Sequence, residues 1–242
     1  MINVRLPEEK DRNLAFYLAM EEYVAGKFDS GDYFFVWRTG PSVIFGRNQQ
    51  MEAEVNIPYC RSHGVNIFRR KSGGGCVYSD WGNIMHSCIT TSGLEPAFTF
   101  ESYMQRMALL LRRLGLDASV SGRNDIMAGG YKVSGNAFHV LPRRCIIHGT
   151  LLYDVDMDAL SEAITPSAEK LERKGISSVR QRVKNLRDML DISIGELSEY
   201  LVREFCDTEV FLDREDEKKI YELASAYEDE SFITGRIIHN NQ

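Results

Sequence analysis

Residues 69–83 read RRKSGGGCVYSDWGN. Arg69, Arg70 and Lys71 stand beside Ser72 and three adjacent glycines, Gly73 to Gly75, and the run closes on Asp80 and Asn83. Glycine loses more backbone entropy on folding than any other residue, so a triple glycine is costly unless the chain must turn sharply or let something come close. Amide groups in such a loop can converge on an anion, and arginine grips phosphate or carboxylate with two hydrogen bonds. Neither a Walker loop nor a dinucleotide fingerprint is present. The run reads either as an anion site or as a tight hairpin with surface arginines.

Residues 121–138, SGRNDIMAGGYKVSGNAF, hold a second cluster. Arg123, Asn124 and Asp125 follow a glycine turn, and Lys132 lies in a strand-like run between Gly129, Gly130 and Gly135. Lys132 is either a solvated edge residue or a fixed charge facing a phosphate or carboxylate. Asp125 is a candidate magnesium ligand, since magnesium takes carboxylate, water and phosphate oxygens. His148, in HGTLL, is a hydrogen-bonded core histidine or a site residue. The zinc-protease helix motif, the G-x-S-x-G elbow and metal-spaced Cys/His clusters are missing.

The elements that must position these residues follow from pattern. Residues 13–27 have helical periodicity with Asn13 as N-cap, and residues 99–116 form an amphipathic helix. Met104, Met107, Leu110, Leu111 and Leu114 mark its buried stripe and Gly115 its C-terminal end. Residues 32–38 and 42–46 read as a strand pair around the turn TGP. Residues 65–70 and 75–80 read as another pair around the glycines. Further strands fall at 83–91, 124–130, 131–141 and 145–155. Helices follow near 157–164, 195–206 and 213–227. Strands first and helices later, without βαβ alternation, indicate the α+β class.

The chain has 242 residues and a 43% hydrophobic content, enough for one large domain or two small ones. We find no membrane span and no signal peptide. Net charge is −6, which argues against a nucleic-acid partner. The five cysteines are scattered, which suggests a reducing, cytoplasmic setting. Lys170 to Arg187 holds seven basic residues against one acid, mixed with apolar ones, and is a candidate anion contact. Asp188 to Glu230, with fifteen acids against four bases, reads as a solvated face.

Taken in order, five stretches resemble the lipoate–protein ligase family over roughly residues 10–190. They are WRTGPSVIFGRNQ, RRKSGGGCVYSDWGN, GRNDIMAGGYKVSGNAF, HGTLL and KGISSVRQRVKNL. The resemblance implies one catalytic domain over 1–242, with a mixed, mainly antiparallel sheet flanked by helices, the fold shared with biotin protein ligases. It implies that lipoate and ATP–Mg2+ form lipoyl-adenylate, and that the acyl group then passes to a lysine of a lipoyl domain. The acceptors implied are 2-oxoacid dehydrogenase complexes and the glycine-cleavage H protein. By the same resemblance, Lys132 is the catalytic residue, contacting the lipoyl carboxyl and the α-phosphate. Its charge would offset the one building at phosphorus. Arg70, Gly75, Cys76, Val77 and Tyr78 would hold the nucleotide. Gly74, Gly75 and His148 would lie beside the lipoyl group, and Asp125 near phosphate or magnesium. Asn83, Asn124 and Arg180 are further candidates.

Some positions depart from the family pattern. Cys76 stands where alanine is usual, and Ser79 where histidine is common. AYEDESFITGR replaces a tryptophan motif expected near 225–235, and we read the small C-terminal accessory domain as absent. The chain is therefore expected to transfer from ready-made lipoyl-adenylate far better than it forms that adenylate, and activation is expected to improve when a separate small accessory protein is supplied. Two other readings remain open. One is an ATP-independent octanoyl or lipoyl transferase using a cysteine thioester, at Cys76 or Cys145. The other is a paralogue that binds a lipoyl-like ligand without turnover.

Overall fold

The computed structural model of the protein describes residues 1–91, 95–122, 124–165 and 182–235. The strands are β1 (Ile2–Arg5), β2 (Tyr33–Trp37), β3 (Ser42–Gly46), β4 (Asn66–Arg70), β5 (Cys76–Ser79), β6 (Asn83–Thr91), β7 (Ala118–Ser121), β8 (Asp125–Ala128), β9 (Tyr131–Val140), β10 (Arg144–Leu152) and β11 (Thr208–Phe211). The helices are α1 (Leu14–Lys27), α2 (Met51–Glu54), α3 (Ile57–Ser62), α4 (Pro96–Arg113), α5 (Met157–Ala163), α6 (Ile194–Phe205), α7 (Arg214–Glu228) and α8 (Glu230–Thr234).

Eight strands form one mixed sheet in the order β11-β1-β2-β6-β10-β9-β8-β7, parallel only at β11–β1 and β1–β2. The mixed, mainly antiparallel sheet with flanking helices agrees with the α+β expectation. The central strands β6 and β10 pair over nine residues, and their side chains are buried almost throughout because helices cover both faces. Two faces give two cores. Phe16, Met20 and Val24 of α1 pack with Phe35, Ile89 and Ile146 on one side, together with α7. Met104, Met107 and Leu111 of α4 pack with Phe34, Ile84, Ile147 and Phe205 on the other. Asn13 caps α1 by accepting from Phe16 N at 3.1 Å. Gly115, with φ +88°, follows α4 one residue past its C-cap.

The second sheet has three strands, β4-β3-β5, and packs with α3 and α5 around Val43, Phe45, Cys60, Leu160 and Ala163. Two pairing expectations are corrected here. β2 and β3 are not a hairpin; the TGP segment carries the chain from the larger sheet to the smaller. β4 and β5 do not pair with each other, because β3 lies between them, parallel to β4 and antiparallel to β5. The triple glycine therefore crosses over β3 instead of closing a tight turn. Among the described residues no helix is long and apolar enough to cross a membrane.

Candidate active site

The glycine loop lies against β3 and over β9. A Cβ on Gly46 would meet Gly74 O at 2.3 Å, so only glycine lets the loop settle there. Gly74 itself has φ +95°, a conformation that side chains resist. Its Cβ position is 4.0 Å from the Ala137 methyl, which places the loop on the strand that carries Lys132. Cβ atoms on Gly73 or Gly75 would meet nothing within 4 Å, so space beside the loop is open among the described residues.

Arg70 is buried and binds the loop from beneath. Its Nε donates to Ser72 Oγ at 3.0 Å, Nη2 donates to Gly73 O and Gly75 O at 2.8 Å, and Nη1 donates to Ile44 O at 2.9 Å. Burial pulls its guanidinium down to about 10, so it remains charged at neutral pH. Arg69 faces away, donating to Ile233 O of α8 at 2.8 Å and to Arg47 O and Gln49 O. Lys71 pairs with Glu22 at 2.8 Å. The three basic residues of the signature thus hold the protein together around the loop. The tryptophan-motif position is filled by α8, which Arg69 ties to β4.

Lys132 enters β9 at a register shift and stands over Gly135, whose Cβ would meet Nζ at 2.9 Å. It pairs with Asp125 Oδ1 at 2.7 Å, and Arg182 pairs with Asp125 Oδ2. Arg182 is brought in by backbone: Lys132 N donates to Arg182 O at 2.8 Å and Lys184 N to Lys132 O at 3.1 Å. Burial, with Arg70 adding to it, pulls the Lys132 ammonium down to about 8. The facing carboxylate works the other way and favours the charged form.

His148 shares the α1 face of the larger sheet with Ser87 and Ala137, its cross-strand neighbours. Its Nε2 meets Ser72 Oγ at 2.7 Å and its Nδ1 meets Glu21 Oε2 at 2.8 Å. Arg70, Gly74, Gly75, Lys132, Asp125 and His148 are therefore gathered on one face.

The other candidates are engaged within the fold or fall outside the described residues. The Tyr78 ring and the Asn83 side chain are buried in the fold, and Asn83 Nδ2 donates to Tyr78 O at 3.2 Å. Asn124 ties the β8–β9 hairpin by donating to Asn136 O at 2.9 Å. Val77 packs toward the core under α1 and Cys76 toward the third core. Arg123, Arg180 and the Lys170–Lys174 basic cluster lie outside the described residues. Burial pushes the Cys76 thiol up to about 12 and the Cys145 thiol up to about 11, so neither is a thiolate at neutral pH. That weighs against the thioester reading.

Sequence reasoning passed over Glu21, Ser72 and Arg182 as individual site residues. Glu21 had a signal: it falls on the buried stripe of α1 with Tyr17, Leu18, Val24 and Ala25, where a carboxylate needs a partner.

Residues 13–206 match the family model of the lipoyl protein ligase A/B catalytic domain. The chain belongs to this family. It is 38% identical over 197 residues to lipoate–protein ligase 1 of Staphylococcus aureus, and 37% identical over 194 residues to lipoate-protein ligase LplJ of Bacillus subtilis. Those matches cover 80% and 79% of this chain, and the chain spans only 60% and 59% of the length of those curated relatives. Among solved structures, a bi-partite lipoate protein ligase of Thermoplasma acidophilum superposes with a TM-score of 0.85 at 30% identity, covering 98% of each chain. A lipoate-protein ligase A bound with ATP also gives 0.85, at 28% identity over 98% of this chain and 100% of that one. A T. acidophilum structure with lipoic acid bound also gives a TM-score of 0.85, at 29% identity over 98% of this chain and 100% of that one.

Proposed function

We propose that this chain is an ATP-dependent lipoate–protein ligase that forms lipoyl-adenylate and transfers the lipoyl group to a lysine of a lipoyl domain. The observation that carries the reading is Lys132. Its ammonium stands over Gly135, next to a glycine loop with open space at Gly73 and Gly75, and is held by one carboxylate, Asp125. The ATP-bound and lipoic-acid-bound structures of similar proteins supply the two substrates that such a site would join.

In the first step the lipoate carboxylate attacks the α-phosphorus of ATP and pyrophosphate leaves. Lys132 contacts both the carboxyl and the α-phosphate and stabilises the charge that accumulates between them. The loop backbone of Gly74 and Gly75, continuing into Cys76, Val77 and Tyr78, lies along the adenylate, while Arg70 keeps the loop in shape from below. His148 lies beside the acyl group. In the second step the acceptor lysine attacks the acyl carbon and AMP departs, its charge again facing Lys132.

Among the described residues no three His, Cys, Asp or Glu side chains are grouped to cage a metal. A single carboxylate, Asp125, suits magnesium that arrives on the phosphates with its own waters, where it would spread phosphate charge. Acceptors in this proposal are lipoyl domains of 2-oxoacid dehydrogenase complexes and the glycine-cleavage H protein. The archaeal ligase studied together with its E2 lipoyl domain supports the first. That ligase is bi-partite, which supports a separate accessory polypeptide for the activation step. The five cysteines are free, which suits a cytoplasmic setting.

The test is ATP–pyrophosphate exchange by the purified chain, with and without lipoate and the accessory polypeptide, alongside acyl transfer from synthetic lipoyl-adenylate to a lipoyl domain. Exchange that requires lipoate, and transfer that labels the acceptor lysine, are the expected results. Absence of both would overturn the reading.

A further inference from the structure

The glycine loop holds a second arrangement that ligation does not use. Ser72 Oγ is 2.7 Å from His148 Nε2, and His148 Nδ1 is 2.8 Å from Glu21 Oε2. A carboxylate only accepts, so Nδ1 carries the ring proton. In the neutral ring Nε2 is then the acceptor, and the Ser72 hydroxyl donates to it. The carboxylate is itself fixed: Glu21 Oε1 accepts from Ser87 Oγ at 2.6 Å, and Ser87 Oγ accepts from Trp37 Nε1 at 2.9 Å. Glu21, Ser72 and Ser87 are all buried. Arg70 Nε donates to Ser72 Oγ at 3.0 Å, which sets a buried positive charge against that oxygen and favours its anionic form.

The two amides that follow, those of Gly73 and Gly74, have no hydrogen-bond partner among the described residues. In acyl-transfer sites the amide next to the nucleophile stabilises the oxyanion. Nucleophile, base, orienting carboxylate and free N–H donors therefore occur together. A nucleophilic serine is recognised by that geometry and not by sequence position.

We propose that Ser72 is a nucleophile and that the site hydrolyses activated medium-chain acyl esters, acyl-adenylates among them, through an acyl-Ser72 intermediate. Ser72 Oγ attacks the acyl carbon as its proton passes to His148 Nε2. The bond from that carbon to the leaving oxygen breaks, and AMP departs from an adenylate. The imidazolium then loses its proton to solvent. Water next attacks the ester carbon and gives a proton to His148. The C–Oγ bond breaks, and Ser72 takes that proton back. The net change is acyl-adenylate plus water to carboxylate, AMP and two protons. Such a step discards an adenylate that meets no acceptor lysine. The choice of adenylate as substrate rests on the ligase reading; the serine chemistry does not.

The experiment uses p-nitrophenyl octanoate with the full chain, without ATP or acceptor. A burst of p-nitrophenolate close to the enzyme concentration is expected. Mass spectrometry of the acid-quenched protein should find one octanoyl group on Ser72, removable by hydroxylamine as an ester is and an amide on Lys132 is not. Ser72→Ala should lose the label, and His148→Ala should lower the release rate roughly 10²–10⁴-fold, the usual size of a general-base contribution. Wild-type protein that carries no label, or carries it only on lysine or cysteine, would overturn the proposal whatever the variants do. Because neither ATP nor acceptor is present, that failure leaves the ligase reading standing, and failed pyrophosphate exchange leaves this one standing.

Discussion

The two halves of the site handle positive charge in opposite ways. On the loop side, Arg69, Arg70 and Lys71 are engaged with the protein's own carbonyls and with Glu22. On the strand side, Lys132 and Arg182 share one carboxylate, Asp125. Charge tied to several backbone carbonyls shapes a loop, because leaving those contacts would strand buried acceptors. Charge held by a single carboxylate can turn to a phosphate, because one ion pair is exchanged for another. In this structure the densest run of positive charge in the sequence binds the protein itself, and we propose that the lysine among glycines is the charge offered to substrate.

The sharpest way to break this contrast is a pair of substitutions with opposite outcomes. Lys132→Ala should lower lipoyl-adenylate formation and transfer on the order of 10²–10³-fold while leaving thermal stability close to wild type. Asp125 keeps Arg182 as its partner in that variant. Arg70→Ala should do the reverse first: loss of the bonds to Ile44 O, Gly73 O and Gly75 O should cost about 3 kcal/mol. For a chain of this size that is a fall of about 6–12 °C in Tm. Calorimetry and acyl transfer on both variants decide the matter. A stable but inactive Arg70→Ala, or an active Lys132→Ala, would erase the distinction.

A smaller effect is expected from pH. Lys132 titrates near 8, lowered by burial, so its charge is present below that value and lost as pH rises through it. Affinity for a non-hydrolysable lipoyl-adenylate analogue should hold up to about pH 8 and then weaken, by at most about tenfold per unit. Asp125→Asn removes the carboxylate that favours the ammonium. Burial then meets less opposition, and the loss of affinity should move to lower pH. Isothermal titration across pH 6–10 reads both curves; a shift to higher pH in Asp125→Asn would mean that Asp125 does not hold the charge on Lys132.

The same contrast explains what sequence could disclose. α1 and α4 were legible because their periodicity and ends are local: Asn13 caps one, and Gly115 with positive φ ends the other. The strand runs were legible too, but not their pairing. β2 and β3 look like a hairpin locally, yet β2 pairs with β6 and β3 with β4, choices made by burial on distant faces. β1 and β11 escaped notice because each is four residues long and its partner lies at the other end of the chain, Ile2 against Thr208. In the candidate site, the place of Lys132 among glycines was legible, and the family resemblance supplies the role proposed for it. The commitment of Arg70 to the loop was not, because it depends on Gly73 and Gly75 carbonyls turning inward. Arg182 could be read only as one charge in a basic run; its place beside Asp125 follows from the Lys132–Val183 bridge.

The smallest expected effect is at Cys76, where the loop side meets the third core. Its thiol is half-buried, packs against that core and is held neutral by burial. Alanine is smaller by one sulfur atom, so Cys76→Ala removes a modest contact and leaves no charged group exposed or unpaired. We expect a cost of about 1 kcal/mol or less and acyl transfer within about twofold of wild type. Iodoacetamide should likewise modify Cys76 slowly at neutral pH, since the thiolate is the reactive form. Acyl transfer by the variant, together with mass spectrometry of the wild-type protein after turnover, checks both statements. An inactive variant and an acyl thioester on Cys76 would place covalent chemistry on the cysteine instead of on Ser72. The glycine loop would then be the reactive half of the site and Lys132 the supporting one.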